Sequence, residues 1–272
     1  MHLSALYVYP VKSLRGFAVT ESAVDDLGLA GDRRFMLIDE TGRFLTQRAL
    51  PRMALIATAL AAGQLTLSAQ GAGSVTVATA PDPAAPLRNV SVWKSEGLLA
   101  EDCGEAPARW LSAFLQAKIR LVRIGAKFMR PVLKQVAGPG DRVSFADSVP
   151  FLILTEASLV DLNDRLVAQG GEALPMDRFR PNLVVAGATA FAEDSWARFR
   201  IGGLTFHAAG PCTRCTITTT NQQTAERGKE PLRTLATYRR DAEDPTDVIF
   251  GQNVVHETKA GKLRVGDKVD IS

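Results

Sequence analysis

Short apolar runs broken by turn residues fill the first third of the chain. LSALYVYP, FAVTESAV, RRFMLID, RFLTQ, MALIATAL, QLTLSA, SVTVAT and NVSVW read as strands, each bounded by polar or glycine-containing turns. Their spacing predicts a β-barrel or sandwich over residues 1–95, with Glu40, Thr41 and Gly42 turning one hairpin. The Ala/Pro-rich TAPDPAAPL (79–87) predicts a surface loop.

From residue 96 the period changes, and a second domain is expected over 96–272. In EDCGEAPARWLSAFLQA, Trp110 with Phe114 and Leu111 with Leu115 recur at helical spacing, and Pro107 is tolerated in the first turn. EASLVDLNDRLVAQGG places Leu159, Leu162 and Leu166 on one helical face and stops at Gly170 and Gly171. IRLVRI, VPFLIL, NLVVAG, ARFRIG, LTFHAAG, RCTITTT, VIFGQNVVHE and LRVGDKVDI predict further strands, with another helix around PLRTLATYRR. The fold class is β-rich α+β, a barrel-like N-terminal domain followed by a second barrel with a few packed helices.

Composition narrows the function classes. Hydrophobic residues at 46 % and charged residues at 22 % describe an ordinary folded protein. A net charge of +3 is too weak for a nucleic-acid footprint. Three cysteines are too few for a disulfide framework and point to a reducing cytoplasm. The longest apolar run, MALIATALAA, is about half of the ~20 residues of a membrane-spanning helix.

Two of those cysteines, Cys212 and Cys215, stand in GPCTRCTITTT. The spacing suits half a zinc site, but no second paired motif supplies the other ligands. The β-branched residues that follow favour a strand over the helix N-terminus of a thioredoxin-type dithiol. Two buried thiols in a core, or a single thiolate holding a metal beside Thr213 and Arg214, are the other readings. Cys103, His207 and His256 read as packing or structural residues.

Three further stretches have the character of anion-binding turns. YPVKS offers Lys12 and Ser13 after the first strand, and DRFRPN offers Arg178 and Arg180, the latter expected to be extended because Pro181 follows. GDRRF offers Arg33 and Arg34, of which strand alternation lets only one face a given site.

YPVKS, GDRRF, TQR, ADS, FRPN, AEDSW, C-x-R-C-x-x-T-T, KEPL and FGQN, in that order over nearly the whole chain, resemble the MOSC-domain proteins related to the mitochondrial amidoxime-reducing component. The resemblance implies an N-terminal MOSC β-barrel domain, a MOSC domain, and the molybdenum cofactor (Mo-molybdopterin) bound between them. It implies Cys215 as metal ligand and catalytic residue, with Cys212 a bystander. Lys12, Ser13, Arg34, Asp147, Ser148, Arg180, Thr213 and Arg214 match the family's cofactor-binding positions, Asp147 staying ionised to accept from pterin N–H groups. Asn182 is expected near the opening.

The activity so implied is reduction of N-hydroxylated small molecules: amidoximes, hydroxylamines and N-hydroxylated nucleobases. Three cysteines cannot hold an iron–sulfur cluster beside the site, so electrons are expected from a separate ferredoxin, flavoprotein or cytochrome. The absence of the mitochondrial members' membrane-targeting segment implies a soluble cytoplasmic enzyme. The alternative is a carrier of cofactor or sulfur without redox catalysis of its own.

Overall fold

The computed structural model describes residues 1–271. Its largest element is an eight-stranded sheet in the order Val269–Ile271, Arg198–Ile201, Leu204–Thr213, Ile249–His256, Phe151–Thr155, Leu183–Ala186, His2–Val8 and Phe17–Val19. Leu6 with Val8, Phe151 with Ile153, and Leu183 with Val185 share one core at period-two spacing together with Phe199, Phe206 and Val254, and a register shift between Leu3 and Ala5 brings Leu3 into the same core. The first strand of the chain thus lies inside a sheet made mostly of strands from residue 151 onward.

One pair in that sheet is parallel: Phe151–Thr155 beside Leu183–Ala186. A parallel pair needs a crossover, and the helix Glu156–Ala168 provides it. Thr155 caps this helix by accepting from the Ser158 amide at 3.2 Å, and Leu162 and Leu166 are buried beneath it.

Three smaller sheets pack around this one. Phe35–Ile38, Arg120–Arg123, Ser95–Asp102 and Leu87–Val92 form one, and Ala57–Ala61, Gln64–Ala69 and Gly73–Ala78 another. The third joins Gly261–Arg264 to Glu21–Asp25 and Gly28–Leu29, linking the two ends of the chain again. The expected boundary at 95/96 lies inside a hairpin, because Ser95–Asp102 pairs with Leu87–Val92. The helix Glu105–Leu115 covers the second core with Leu111 and Leu115.

Several local expectations differ from the structure. RFLTQ contributes only two isolated bridges, Arg43 to Ser91 and Phe44 to Ile38, and MALIATAL is split into the turn Pro51–Leu55 and the strand Ala57–Ala61. The helix expected around PLRTLATYRR reaches only Leu232–Leu235. TITT is a 3-10 turn, Thr216–Thr219, not a strand. Thr218 Oγ1 donates to the Cys215 carbonyl and Thr219 Oγ1 to that of Thr216, each at 2.9 Å, so local hydroxyls satisfy the backbone that a strand would have paired elsewhere. No helix among the described residues is long and apolar enough to cross a membrane.

Candidate active site

Segments far apart in sequence meet at one cavity. The turn after the first strand brings Lys12 and Ser13, the approach to Phe151 brings Asp147 and Ser148, the loop before Leu183 brings Arg180, and the end of Leu204–Thr213 brings Thr213, Arg214 and Cys215. The strand that carries the cysteines is irregular. Its register against Ile249–His256 shifts around Pro211, and Gly210 has φ 98. Such irregularities bend a strand and re-aim the side chains beyond them. Cys215 then opens the 3-10 turn with its thiol half-buried against the cavity.

Among the described residues, three of the eight non-glycine positions with positive φ line this cavity. Ser13, Arg33 and Arg180 line the cavity with φ of 65, 48 and 57, a region L-residues other than Asn and Asp seldom enter. Arg180 is thus left-handed at φ, not extended as the following proline suggested. Its guanidinium donates to the Leu14 carbonyl at 2.6 Å, which holds the chain in that bend. Strain of this kind persists where surroundings over-determine it, and it gathers at functional sites.

The sequence expectation put Arg34 at the site, and the structure puts Arg33 there instead. Arg33 ties its own backbone to both walls, its N–H donating to the Tyr9 carbonyl at 2.8 Å and its carbonyl accepting from Phe145 at 3.0 Å. Its guanidinium reaches Asp32 at 2.5 Å and Asn182 Oδ1 at 3.0 Å. Arg34, just ahead of the strand Phe35–Ile38, pairs with Asp25 at 2.6 Å and borders a different pocket. Both arginines precede that strand, so alternation does not choose between them, and the left-handed turn at Arg33 sends the two side chains apart.

Asn182 also lines the cavity, but its side chain is spent holding Arg33, the Leu152 amide and the Tyr7 carbonyl. Arg178 is drawn away to the Thr218 carbonyl. Three supports were not legible. Tyr9 is sandwiched between Arg33 and Arg180, whose guanidinium carbons lie 4.4 and 4.3 Å from its ring centroid. Arg130 is buried and donates to the carbonyls of Ser144, Ala146 and Asp147. Trp93 donates its indole N–H to Asp147 Oδ1 at 2.9 Å. Nothing in the sequence singles out Arg130: Phe128, Arg130 and Val132 are buried in alternation, but the exposed Met129 and Leu133 are apolar as well and hide the pattern.

Electrostatically the site is a cation-rich pocket. Lys12, Arg33, Arg180 and Arg214 line it, with Arg130 buried behind Asp147, and among the described residues only Lys12 and Arg33 of these have carboxylate partners, Asp147 and Asp32. Burial pushes the Lys12 ammonium below its usual range, with Asp147 at 2.5 Å working against the fall. Burial and the neighbouring Arg33 push Arg180 down to about 10, which leaves it protonated at neutral pH. Desolvation opposes ionisation of Asp147, but the Lys12 ammonium, the Trp93 N–H and Arg33 outweigh it and hold the carboxyl well below the usual range. The ionised Asp147 acts as an acceptor of hydrogen bonds.

The two cysteines are not equivalent. Cys212 Sγ accepts from Arg214 Nη1 at 2.9 Å, whereas Cys215 is placed by the backbone of the turn it opens. Among the described residues no cluster of three or more His, Cys, Asp and Glu side chains assembles around them, so the zinc reading finds no further ligands. His256, read as structural, is buried and donates through Nε2 to the Asp25 carbonyl at 2.7 Å. His207 pairs with Glu257 on the surface.

Comparison with known proteins gives this arrangement a family. The MOSC N-terminal beta barrel domain matches residues 1–118 and the MOSC domain residues 140–270. The chain is 37 % identical to mitochondrial amidoxime-reducing component 1 of Mus musculus and 36 % to that of Homo sapiens, over 98 % of this chain and 81 % and 82 % of those proteins. It is 32 % identical to a molybdenum cofactor sulfurase of Danio rerio over 94 % of this chain and 32 % of that longer protein. The chain belongs to the MOSC-domain family, in the group with an N-terminal MOSC β-barrel domain that includes the mitochondrial amidoxime-reducing components.

Proposed function

We propose that this protein is a molybdenum-cofactor-dependent reductase of N-hydroxylated compounds, with amidoximes, hydroxylamines and N-hydroxylated nucleobases as substrates. The observation that carries the reading is the convergence on one cavity of the Cys215 thiol, an excess of cations and the ionised Asp147. A phosphate-bearing pterin with a thiolate-bound metal calls for each of these chemistries. Among the described residues the buried Nε of Arg214 has no hydrogen-bond partner, an unpaired donor that suits an anionic ligand.

Cys215 would hold the metal. Lys12, Ser13, Arg33, Arg180, Thr213 and Arg214 would hold the anionic parts of the cofactor, and Asp147 and Ser148 its polar pterin edge. When bound, the cofactor supplies two electrons, which with two protons convert an N–OH group into N–H and water. Asp147, kept ionised, orients by accepting and is not the proton source. Electrons come from a separate ferredoxin, flavoprotein or cytochrome, and the protein works in the cytoplasm.

Similarity to the sulfurase favours one competing reading, a carrier that hands on cofactor or sulfur. Protein made in a cofactor-synthesising host is assayed for molybdenum beside Cys215→Ala, and for benzamidoxime reduction with a chemical reductant. Molybdenum in the wild type, its loss in Cys215→Ala, and turnover support the reductase. Molybdenum without turnover of any N-hydroxylated compound supports the cofactor carrier, and no molybdenum in either protein overturns the cofactor assignment and leaves only a sulfur carrier.

A further inference from the structure

The hairpin tip at Trp93 is built against its own local preference. Ser95 pairs with Val92, so Trp93 and Lys94 form a two-residue turn. Such turns call for positive φ and favour Gly, Asn or Asp, yet Trp93 takes φ 55 with a bulky aromatic side chain that is 44 % exposed. A residue strained in this way and half in water contributes little to a core. Its contacts instead lead to the candidate active site.

The indole N–H of Trp93 donates to Asp147 Oδ1 at 2.9 Å, the oxygen that also takes Lys12 Nζ at 2.5 Å. Among the described residues no donor takes Oδ2. The carboxylate is therefore gripped by one oxygen from two sides and presents the other, with its side chain 67 % exposed. The ring itself is held in place. The Arg48 guanidinium lies 4.2 Å from its centroid and the Phe44 ring 5.0 Å away, tilted by 58°.

Arg48 belongs to TQR, a stretch that the site assignment leaves without a role. Its neighbour Gln47 is fully buried and donates to the Ser13 carbonyl at 2.9 Å, so the same stretch supports two points of the cavity wall. Next to Trp93 in the hairpin, Ser95 Oγ accepts from Arg130 Nε at 3.2 Å, and Arg130 holds the Asp147 carbonyl at 2.8 Å. The hairpin tip thus meets Asp147 at both its side chain and, through Arg130, its backbone.

We propose that Trp93 is a positioning residue for the site, and that its indole N–H, backed by Arg48, fixes the Asp147 carboxylate so that Oδ2 is offered to an N–H donor of the bound pterin. This rests on the cofactor reading above. Trp93→Phe removes the N–H and keeps the ring. It should speed the loss of molybdenum on dialysis by about tenfold or more, the scale seen when a residue orienting a metal-site group is removed. Trp93→Gly should speed that loss as well, while melting at or above the wild-type temperature because glycine relieves the left-handed φ.

The contact itself is read without cofactor. The chain has three tryptophans, so its indole N–H resonances are few and Trp93→Phe assigns the one that matters. Asp147→Ala should move the Trp93 indole resonance and speed its exchange with solvent. An unmoved resonance, or wild-type molybdenum retention in Trp93→Phe, overturns the proposal. A lowered melting temperature in Trp93→Gly together with unchanged retention assigns the residue a structural role and overturns it too. Absence of molybdenum from the wild-type protein counts against the cofactor reading instead, and the indole experiment separates the two failures.

Discussion

Arg33 and Arg34 offer a sharp test because adjacent, chemically identical side chains face different environments. Asp32 is buried, its side chain 2 % exposed, with Oδ1 accepting from the Tyr9 amide and Oδ2 paired to Arg33, itself 12 % exposed. Arg33→Met leaves that carboxylate without its cation, a loss of ~3–5 kcal/mol for a buried pair broken on one side. At roughly 2–4 °C per kcal/mol, the melting temperature should fall by about 6–20 °C. Arg34→Met breaks a pair whose partner Asp25 is 53 % exposed, and one hydrogen bond to the Leu29 carbonyl at 3.2 Å. Together these amount to at most ~2 kcal/mol. Asp32→Asn in the Arg33→Met background removes the orphaned charge while keeping an acceptor for Tyr9, so part of the stability should return. Molybdenum content should not return with it, because the site cation is still missing. Thermal melts and metal analysis of these variants decide the matter. Equal damage from Arg33→Met and Arg34→Met, or restored molybdenum in the double variant, would refute the assignment of Arg33 to the site.

Other residues carry separable expectations. Cys215→Ser should abolish molybdenum retention and reductase activity while Cys212→Ser keeps most of both, and equal loss would restore a dithiol or zinc reading. A Cβ on Gly16 would stand 2.3 Å from Tyr9 Cδ1 and 2.5 Å from the Val8 carbonyl oxygen. Gly16→Ala should therefore cost ~1–3 kcal/mol and, by displacing the ring between Arg33 and Arg180, weaken binding of inorganic phosphate, which calorimetry would measure. Burial, and then Lys259, push His256 down to about 4 from an ordinary 6.5, with Asp25 and Asp141 the acidic neighbours that oppose the fall. The unfolded chain then binds the extra proton between those values. The stability associated with a neutral His256 is present above pH 6.5 and lost, to the order of 3 kcal/mol, as pH falls toward 4. Urea titrations should show a shallower loss over that window in His256→Gln, and an unchanged slope would count against a neutral buried imidazole.

Much of the architecture was written in periodicity. The strands around Phe151 and Leu183 and the helix with Leu162 and Leu166 follow from apolar spacing, because those side chains have one buried face to fill. Departures occur where side chains compete for the backbone. The threonines after Cys215 look like a strand by propensity, and their hydroxyls close a turn instead. Sheet pairing was less legible still. Nothing local in His2–Val8 indicates that its partner is Leu183–Ala186, since that choice depends on how the whole chain closes.

The cavity shows the same division between residue type and residue direction. Cations, a carboxylate and a thiol announce themselves by chemistry, and eight of the nine sequence-assigned residues do line one pocket. The ninth, Arg34, borders a different pocket while its neighbour Arg33 lines this one, and the left-handed φ of Arg33 in the turn before Phe35–Ile38 that parts them has no signature in composition. The supports are harder again. Tyr9, Trp93 and Arg130 are ordinary residue types whose roles exist only once Arg180, Asp147 and the Asp147 carbonyl have been brought beside them. A cavity that gathers this many cations needs such supports. Each guanidinium not offset by a carboxylate must be held by carbonyls or an aromatic face, and those groups come from wherever the fold places them.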